Sequence, residues 1–213
     1  MDDIELPLKD RDQAAELLAD KLAHLRGSNP LILAIPRGAV PMGRIIADRL
    51  DGELDVVLVR KIPSAIDPEL AVGAVDEHGN RELAPYFNRT RTSMEWVELQ
   101  THEQVELMRR RRASYGARRP PADPEGRVVV IVDDGLATGS TMAAALRATR
   151  ARKPKQLLAA VPVAAPDSLE MIAPLTDGMV YLAAPMNFRS VSLHYRSFPQ
   201  VSEEEVLRLL TSE

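Results

Sequence analysis

"VVVIVDDGLATGST", residues 128–141, is the stretch on which the reading of the chain turns. Five consecutive apolar residues run into two adjacent carboxylates, Asp133 and Asp134. A loop with two glycines and three hydroxyl residues follows at once. An unbroken apolar run of this kind reads as a strand covered on both faces, as in a parallel sheet. A glycine-containing turn from such a strand into a helix exposes several backbone N–H groups at the positive end of the helix dipole. Gly135 and Gly139 let backbone approach an anion closely, and Thr138, Ser140 and Thr141 add hydroxyl donors. A nucleoside-triphosphatase loop would carry a lysine before its final Ser/Thr, and here Gly139 precedes Ser140 and Thr141. The Gly-x-x-x-Gly spacing is not that of a dinucleotide fingerprint either. The cradle therefore suits a monophosphate. Two carboxylates beside a phosphate repel it unless they serve another part of the same ligand. A ribose 5-phosphate meets that condition, its hydroxyls donating to Asp133 and Asp134 while its phosphate lies in the loop. A helix cap behind a turn would explain a lone Gly-x-x-x-Gly equally well; the whole string favours a ligand site.

Working outward, strands and helices alternate. Asp10 caps a predicted helix with Ala14, Leu17, Leu18, Leu22 and Leu25 at helical spacing and Gly27 as its stop, behind an arm at 1–9. "LILAIP" (31–36) and "LDVVLVR" (54–60) read as strands around the loop "RGAV" and a helix through Ile45, Ile46 and Leu50. Residues 61–87 break the rhythm with Pro63, Pro68, Gly73, Gly79 and Pro85, leaving only short strand patterns at Leu70–Val75 and Arg81–Leu83. So long an irregular stretch inside a compact domain reads as a lid or a disordered insert. A long helix is predicted from about Thr92 to Gly116, with Thr92 and Glu95 as a capping box, Glu106 and Arg110 paired at i,i+4, and Arg109–Arg112 as a solvated or intersubunit end. Polar "RRPPADPEG" leads to the strand 127–132. A helix from Gly139 to Arg152, strands at 156–163 and 179–184, a short helix near Ser168–Ile172, and a C-terminal helix capped by Ser202 and Glu205, with Val201 stapled on Val206, complete the pattern. The alternation implies one α/β domain over 1–213 with a doubly wound parallel sheet. Ligands sit at the carboxyl ends of such strands, where Asp133, Arg37 and Arg60 are expected.

The 213 residues, 45% of them hydrophobic, suffice for one core, and the formal charge of −4 argues against a broad nucleic-acid surface. Absence of cysteine excludes disulfides, thiolate catalysis and cysteine zinc sites. No apolar run reaches the ~18 residues of a membrane span and no signal-peptide pattern is visible, so a cytoplasmic protein without membrane or nucleic-acid partners is expected.

The motif at 128–141 resembles the phosphoribosyl pyrophosphate (PRPP) motif of the type I phosphoribosyltransferases. The resemblance extends along most of the chain and is nearest to bacterial phosphoribosyltransferase-like proteins, some of which are fused to a hydrolase domain. It implies that Asp133 and Asp134 hold the ribose hydroxyls, directly or through Mg²⁺, and that the loop Gly135, Leu136, Ala137, Thr138, Gly139, Ser140 and Thr141 holds the 5′-phosphate. "AIPRGAVPMG" (34–43) is similar to the family's pyrophosphate loop, giving Arg37 and Gly38 the diphosphate. "VRKIPSAIDPELAVGAV" (59–75) looks like its flexible catalytic loop, with Arg60 and Lys61 at the base. Residues 184–213 take the place of the hood over the acceptor and the last helix. The glycine at 135, where many members carry a β-branched residue, would loosen the turn, and "APMNFRSVSLHYRSFPQ" (184–200) matches no purine, pyrimidine or orotate hood.

The implied function is Mg²⁺-dependent transfer of ribose 5-phosphate from PRPP to a nitrogen nucleophile, by a homodimer, with Arg60, Lys61, Asp133 and Asp134 as catalytic residues. A PRPP-sensing regulator on the same fold is the alternative. His78 reads as a solvated loop residue before a proton carrier. His24 and His102 fall in helix patterns. His194, Phe188 and Tyr195 suit the acceptor or simple packing equally.

Overall fold

A computed structural model describes residues 4–115 and 121–211. Its centre is a five-stranded parallel sheet in the order β2-β1-β6-β7-β8, formed by β1 (Leu31–Ala34), β2 (Glu53–Val56), β6 (Val128–Val132), β7 (Gln156–Val163) and β8 (Gly178–Ala183). Val129, Val130, Ile131 and Val132 have no exposed surface. Full burial of such a side chain contributes roughly 1.5–3 kcal/mol, so this strand holds whatever follows it in place. Alternate residues serve opposite faces. Val130 and Val132 meet a cluster that includes Ala14, Leu18, Met42 and Ile46 of α1 (Arg11–Lys21) and α2 (Val40–Leu50). Val129 and Ile131 meet Met142, Leu146 and Ile172 of α4 (Ser140–Ala151) and α5 (Pro166–Ile172). The sheet is thus wound on both faces. β1 and β6 pair in register at Ala34 and Val132, which sets residue 37 beside residues 133–134.

The predicted cap of α1 is present, Asp10 accepting from Gln13 N at 2.9 Å. The predicted strand 54–60 is not one strand. The main-sheet pairing ends after Val56, with a last bond from Val57 N to Ala34 O. The chain then enters β3 (Val59–Pro63), the first strand of a separate antiparallel sheet with β4 (Ala71–Asp76) and β5 (Arg81–Leu83). Arg60 therefore lies inside β3, not at the carboxyl end of a core strand. The segment 61–87 is likewise built on this meander: β4 and β5 fall on the two short strand patterns expected at Leu70–Val75 and Arg81–Leu83, and the stretch is not an irregular insert. Asp76 explains how its tight turn forms: buried, it accepts from the N–H groups of His78 and Asn80 and from the Asn80 side chain.

α3 (Met94–Ser114) begins one residue later than the capping pattern predicts. Ser93 is the cap, accepting from Trp96 N at 3.1 Å, while Thr92 is buried with its hydroxyl 3.2 Å from Ser64 Oγ. Glu106 pairs with Arg109 and not with Arg110. Arg112 is no solvated end: it clamps Asp55, Glu77 and the Val56 carbonyl. The predicted stop at Gly116 and the first residues of the following linker, 118–120, lie outside the described residues. The C-terminal helix α6 (Glu203–Thr211) is capped as expected, Glu205 N donating to Ser202 Oγ, with Val201 and Val206 buried. The arm is not loose where described. Leu8 bridges Tyr195, and Arg196 N and Ser197 N donate to the Leu8 and Lys9 carbonyls.

Candidate active site

β6 delivers Asp133 and Asp134 directly from the core, and the loop behind them climbs into α4. Leu136 N donates to the Val163 carbonyl and Ala165 N to that of Leu136, so this residue is stitched to β7. Ser168 donates to the Ala137 carbonyl at 2.6 Å, fixing the next residue from α5. Beyond that point the backbone is free. Among the described residues none supplies a hydrogen-bond acceptor for the N–H groups of Ala137, Thr138, Gly139, Ser140 or Thr141. Gly139 has φ +70° and is the N-cap of α4, a conformation that admits glycine at little strain. The hydroxyls of Thr138 and Ser140 sit 3.4 Å apart on exposed residues. Open N–H groups, hydroxyls and a helix N-terminus together make an anion cradle. Within the expected set, Leu136 is buried and has its N–H already engaged by the Val163 carbonyl.

The two carboxylates differ. Asp133 is half-buried and accepts from Asp134 N at 2.9 Å. Crowding by protein, and then the charge of Asp134, push its carboxyl well above the usual carboxylate range. Asp134 is held in an ion pair. Arg11, 8% exposed, donates twice to Asp134 Oδ2, at 3.0 and 2.8 Å, and once to the Pro199 carbonyl at 2.6 Å. Its guanidinium lies 3.7 Å from the centre of the Phe198 ring. Tyr195 donates to the Asp134 carbonyl at 2.7 Å, and burial, with Asp134 adding to it, raises its phenol far above the ordinary value. Sequence reasoning missed Arg11. Nothing near position 11 signals a partner 123 residues away.

Gly38 and Gly135 are small for steric reasons. A Cβ on Gly38 would collide with the Asp134 carboxylate, and one on Gly135 would collide with Val191 of the C-terminal segment. Glycine at 135 makes room for the segment that covers it. The Pro36–Arg37 peptide is cis. Arg37 Nη1 lies 3.8 Å from Glu203 of α6. Arg60, Pro36, Arg111 and Thr141 line one cleft between residues 57–60 and α3. Lys61 and Ser140 line a larger one, of ≈ 560 Å³, between the meander and α4. His78 is elsewhere, beside Arg152 just past the far end of α4. A 12-residue helix is about 18 Å long, so His78 stands far from the cradle. His194 stacks on Phe188 at 5.1 Å; burial lowers its pKa, and its buried Nε2 has no partner among the described residues.

Comparison with known proteins agrees with this geometry. The family model of the phosphoribosyl transferase domain matches residues 8–179. A Mycobacterium tuberculosis relative, whose name proposes a phosphoribosyl transferase, is 37% identical over 203 residues, 94% of this chain. The chain spans 46% of that relative's length. The crystal structure of TT1426 from Thermus thermophilus matches with a TM-score of 0.87 and 40% identity, over 96% of this chain and 98% of that one. Hypoxanthine-guanine phosphoribosyl transferase of L. donovani shares the fold alone, with a TM-score of 0.50 and 14% identity over 87% of this chain and 85% of that one. The doubly wound sheet, the strand-end acids over an open anion cradle, and the family match along most of the sequence lead to one conclusion: the chain belongs to the phosphoribosyl transferase family.

Proposed function

We propose that the chain transfers ribose 5-phosphate from PRPP to a nitrogen nucleophile, with Mg²⁺, releasing pyrophosphate. The observation that carries this reading is the placement of the strand-end acid Asp133 on the same β6–α4 connection as the backbone N–H groups of residues 137–141, which have no acceptor among the described residues. The cradle takes the 5′-phosphate, and Asp133 takes ribose hydroxyls. With phosphate and hydroxyls fixed, C1 of the ribose is oriented toward the 36–39 loop. There the C1–oxygen bond to diphosphate breaks as the C1–nitrogen bond forms. Positive charge grows on the ribose, which Asp133 favours, and negative charge grows on the leaving group, which Arg37, Arg60 and Lys61 favour. The meander 61–87 acts as the lid that excludes water, and residues 184–213 form the hood.

Among the described residues, no group of three or more His, Asp or Glu is assembled to hold a metal. The donor set still fits Mg²⁺, which keeps several waters and binds through one or two carboxylates plus substrate phosphates. Asp133 suits it, because a neighbouring cation would offset the repulsion from Asp134. When bound, Mg²⁺ would neutralise charge on the departing diphosphate.

One observation favours the second reading, a PRPP-binding regulator without turnover. Asp134 is already engaged by buried Arg11 and offers less to a ribose than a free acid would. The test is pyrophosphate release from PRPP and Mg²⁺ across a panel of bases and amines. Release with a particular acceptor is expected. Tight PRPP binding without release for any acceptor would leave the regulator; no binding at all would overturn both.

A further inference from the structure

The run Arg109–Arg112 and the acidic start of α6 are not used by the mechanism above, yet they meet beside it. Glu203 Oε1 lies 3.2 Å from Arg111 Nη2 and 3.8 Å from Arg37 Nη1. Two guanidinia from different elements, α3 and the 36–39 loop, thus share one carboxylate oxygen. Arg111 is oriented in advance. Its Nε donates to the Tyr115 hydroxyl at 2.7 Å, and Tyr115 is itself buried. Arg111 also lines the cleft that Pro36, Arg60 and Thr141 line. α6 is anchored through fully buried Val206, so the Glu203 side chain can swing away without moving its helix. The pair is accessible, with Arg111 34% and Glu203 48% exposed, and ion pairs so exposed are weak.

A point between two guanidinium forks is where a phosphate oxygen binds best. We infer that Glu203 is an internal carboxylate standing in for the diphosphate, and that Arg111 is a second diphosphate-binding guanidinium alongside Arg37. The incoming diphosphate displaces Glu203 and takes over both arginines. A dianionic or trianionic group wins this exchange, whereas a monoanion gains little over the carboxylate already present. The inference rests on the assignment of Arg37 to the leaving diphosphate in the proposed function.

The experiment is calorimetric titration of inorganic pyrophosphate and, separately, of ribose 5-phosphate, at fixed Mg²⁺, into the wild type, Glu203→Gln and Arg111→Gln. Glu203→Gln should bind pyrophosphate about threefold tighter, the effect of removing a partly exposed competing charge. Arg111→Gln should bind it roughly tenfold or more weakly, the usual loss for a hydrogen bond to a charged group. Ribose 5-phosphate affinity and melting temperature should stay as in the wild type for both. Unchanged pyrophosphate affinity in both variants, with ribose 5-phosphate still bound, would overturn the inference and leave the proposed function standing. A parallel loss of both ligands and of melting temperature in Arg111→Gln would make Arg111 structural and overturn it as well. Failure of the wild type to bind either ligand would overturn the inference together with the reading it rests on.

Discussion

At the scale of single residues, the acids at 133–134 differ in their surroundings because of a distant arginine. Arg11 and Asp134 keep side-chain exposures of 10% and 18%, so their attraction is little screened. Removing one member of a buried pair leaves an uncompensated charge, at a cost of roughly 3–5 kcal/mol. Arg11→Met should therefore lower unfolding stability by about that amount in urea titrations. Asp134→Asn in the same background should add much less than it does alone, because the partner is already gone. A loss below about 1 kcal/mol would mean that the pair is solvent-screened and that Asp134 is available to a ligand after all. Gly135 gives a second test. Gly135→Val would drive a side chain into Val191 and should cost roughly 1–3 kcal/mol, the usual penalty for overpacking. Val191→Ala in the same chain should recover most of it. Full cost persisting in the double variant would place the strain in the turn itself.

At the scale of elements, what was readable depended on whether the decisive contact was local. β7 was readable over its full length because its apolar run is continuous, and the caps of α1 and α6 because each lies within three residues of its partner. The division of 54–60 was not, since both halves are apolar and extended; only the end of pairing with Ala34 separates them. The cap of α3 failed for a related reason. Thr92 and Ser93 are both good caps, and tertiary contact with Ser64 took Thr92. Ser93→Ala should thus lower stability by about 1 kcal/mol in a thermal or urea melt. Thr92→Ser, which keeps the hydroxyl, should change it far less. The meander is the element to which the proposed function assigns the lid. Its tip is exposed, Ile66 by 68% and Leu70 by 37%. If the tip closes over PRPP, amide exchange across 64–70 should slow when PRPP and Mg²⁺ are added. Equal exchange in both states would remove the lid from the mechanism.

At the scale of the whole molecule, strand order and closure were the least readable features. Periodicity identifies five core strands, but nothing in it says that β6, nearly a hundred residues after β1, should pair with it and bring residues 37 and 133 together. Nor does it say that the two ends of the described chain meet over the site. They do so through Leu8. This residue is 1% exposed, its N–H donates to the His194 carbonyl at 2.8 Å, and its carbonyl accepts from Arg196 N at 2.7 Å. The segment it holds carries Tyr195, whose hydroxyl reaches the Asp134 carbonyl, and lies just beyond Val191, which covers Gly135. The arm thus straps the segment around Tyr195 onto the loop that begins at Asp134. Leu8→Ala removes a fully buried leucine and should cost roughly 2–5 kcal/mol. If the strap positions the hood, PRPP affinity measured well below the melting temperature should fall too. Linkage then requires that saturating PRPP stabilise the wild type more than it stabilises Leu8→Ala. Ribose 5-phosphate, held mainly by the cradle at 137–141, should lose less affinity than PRPP. Equal stabilisation of both proteins by PRPP, despite a lowered melting temperature, would show that the arm supports the fold without reaching the site.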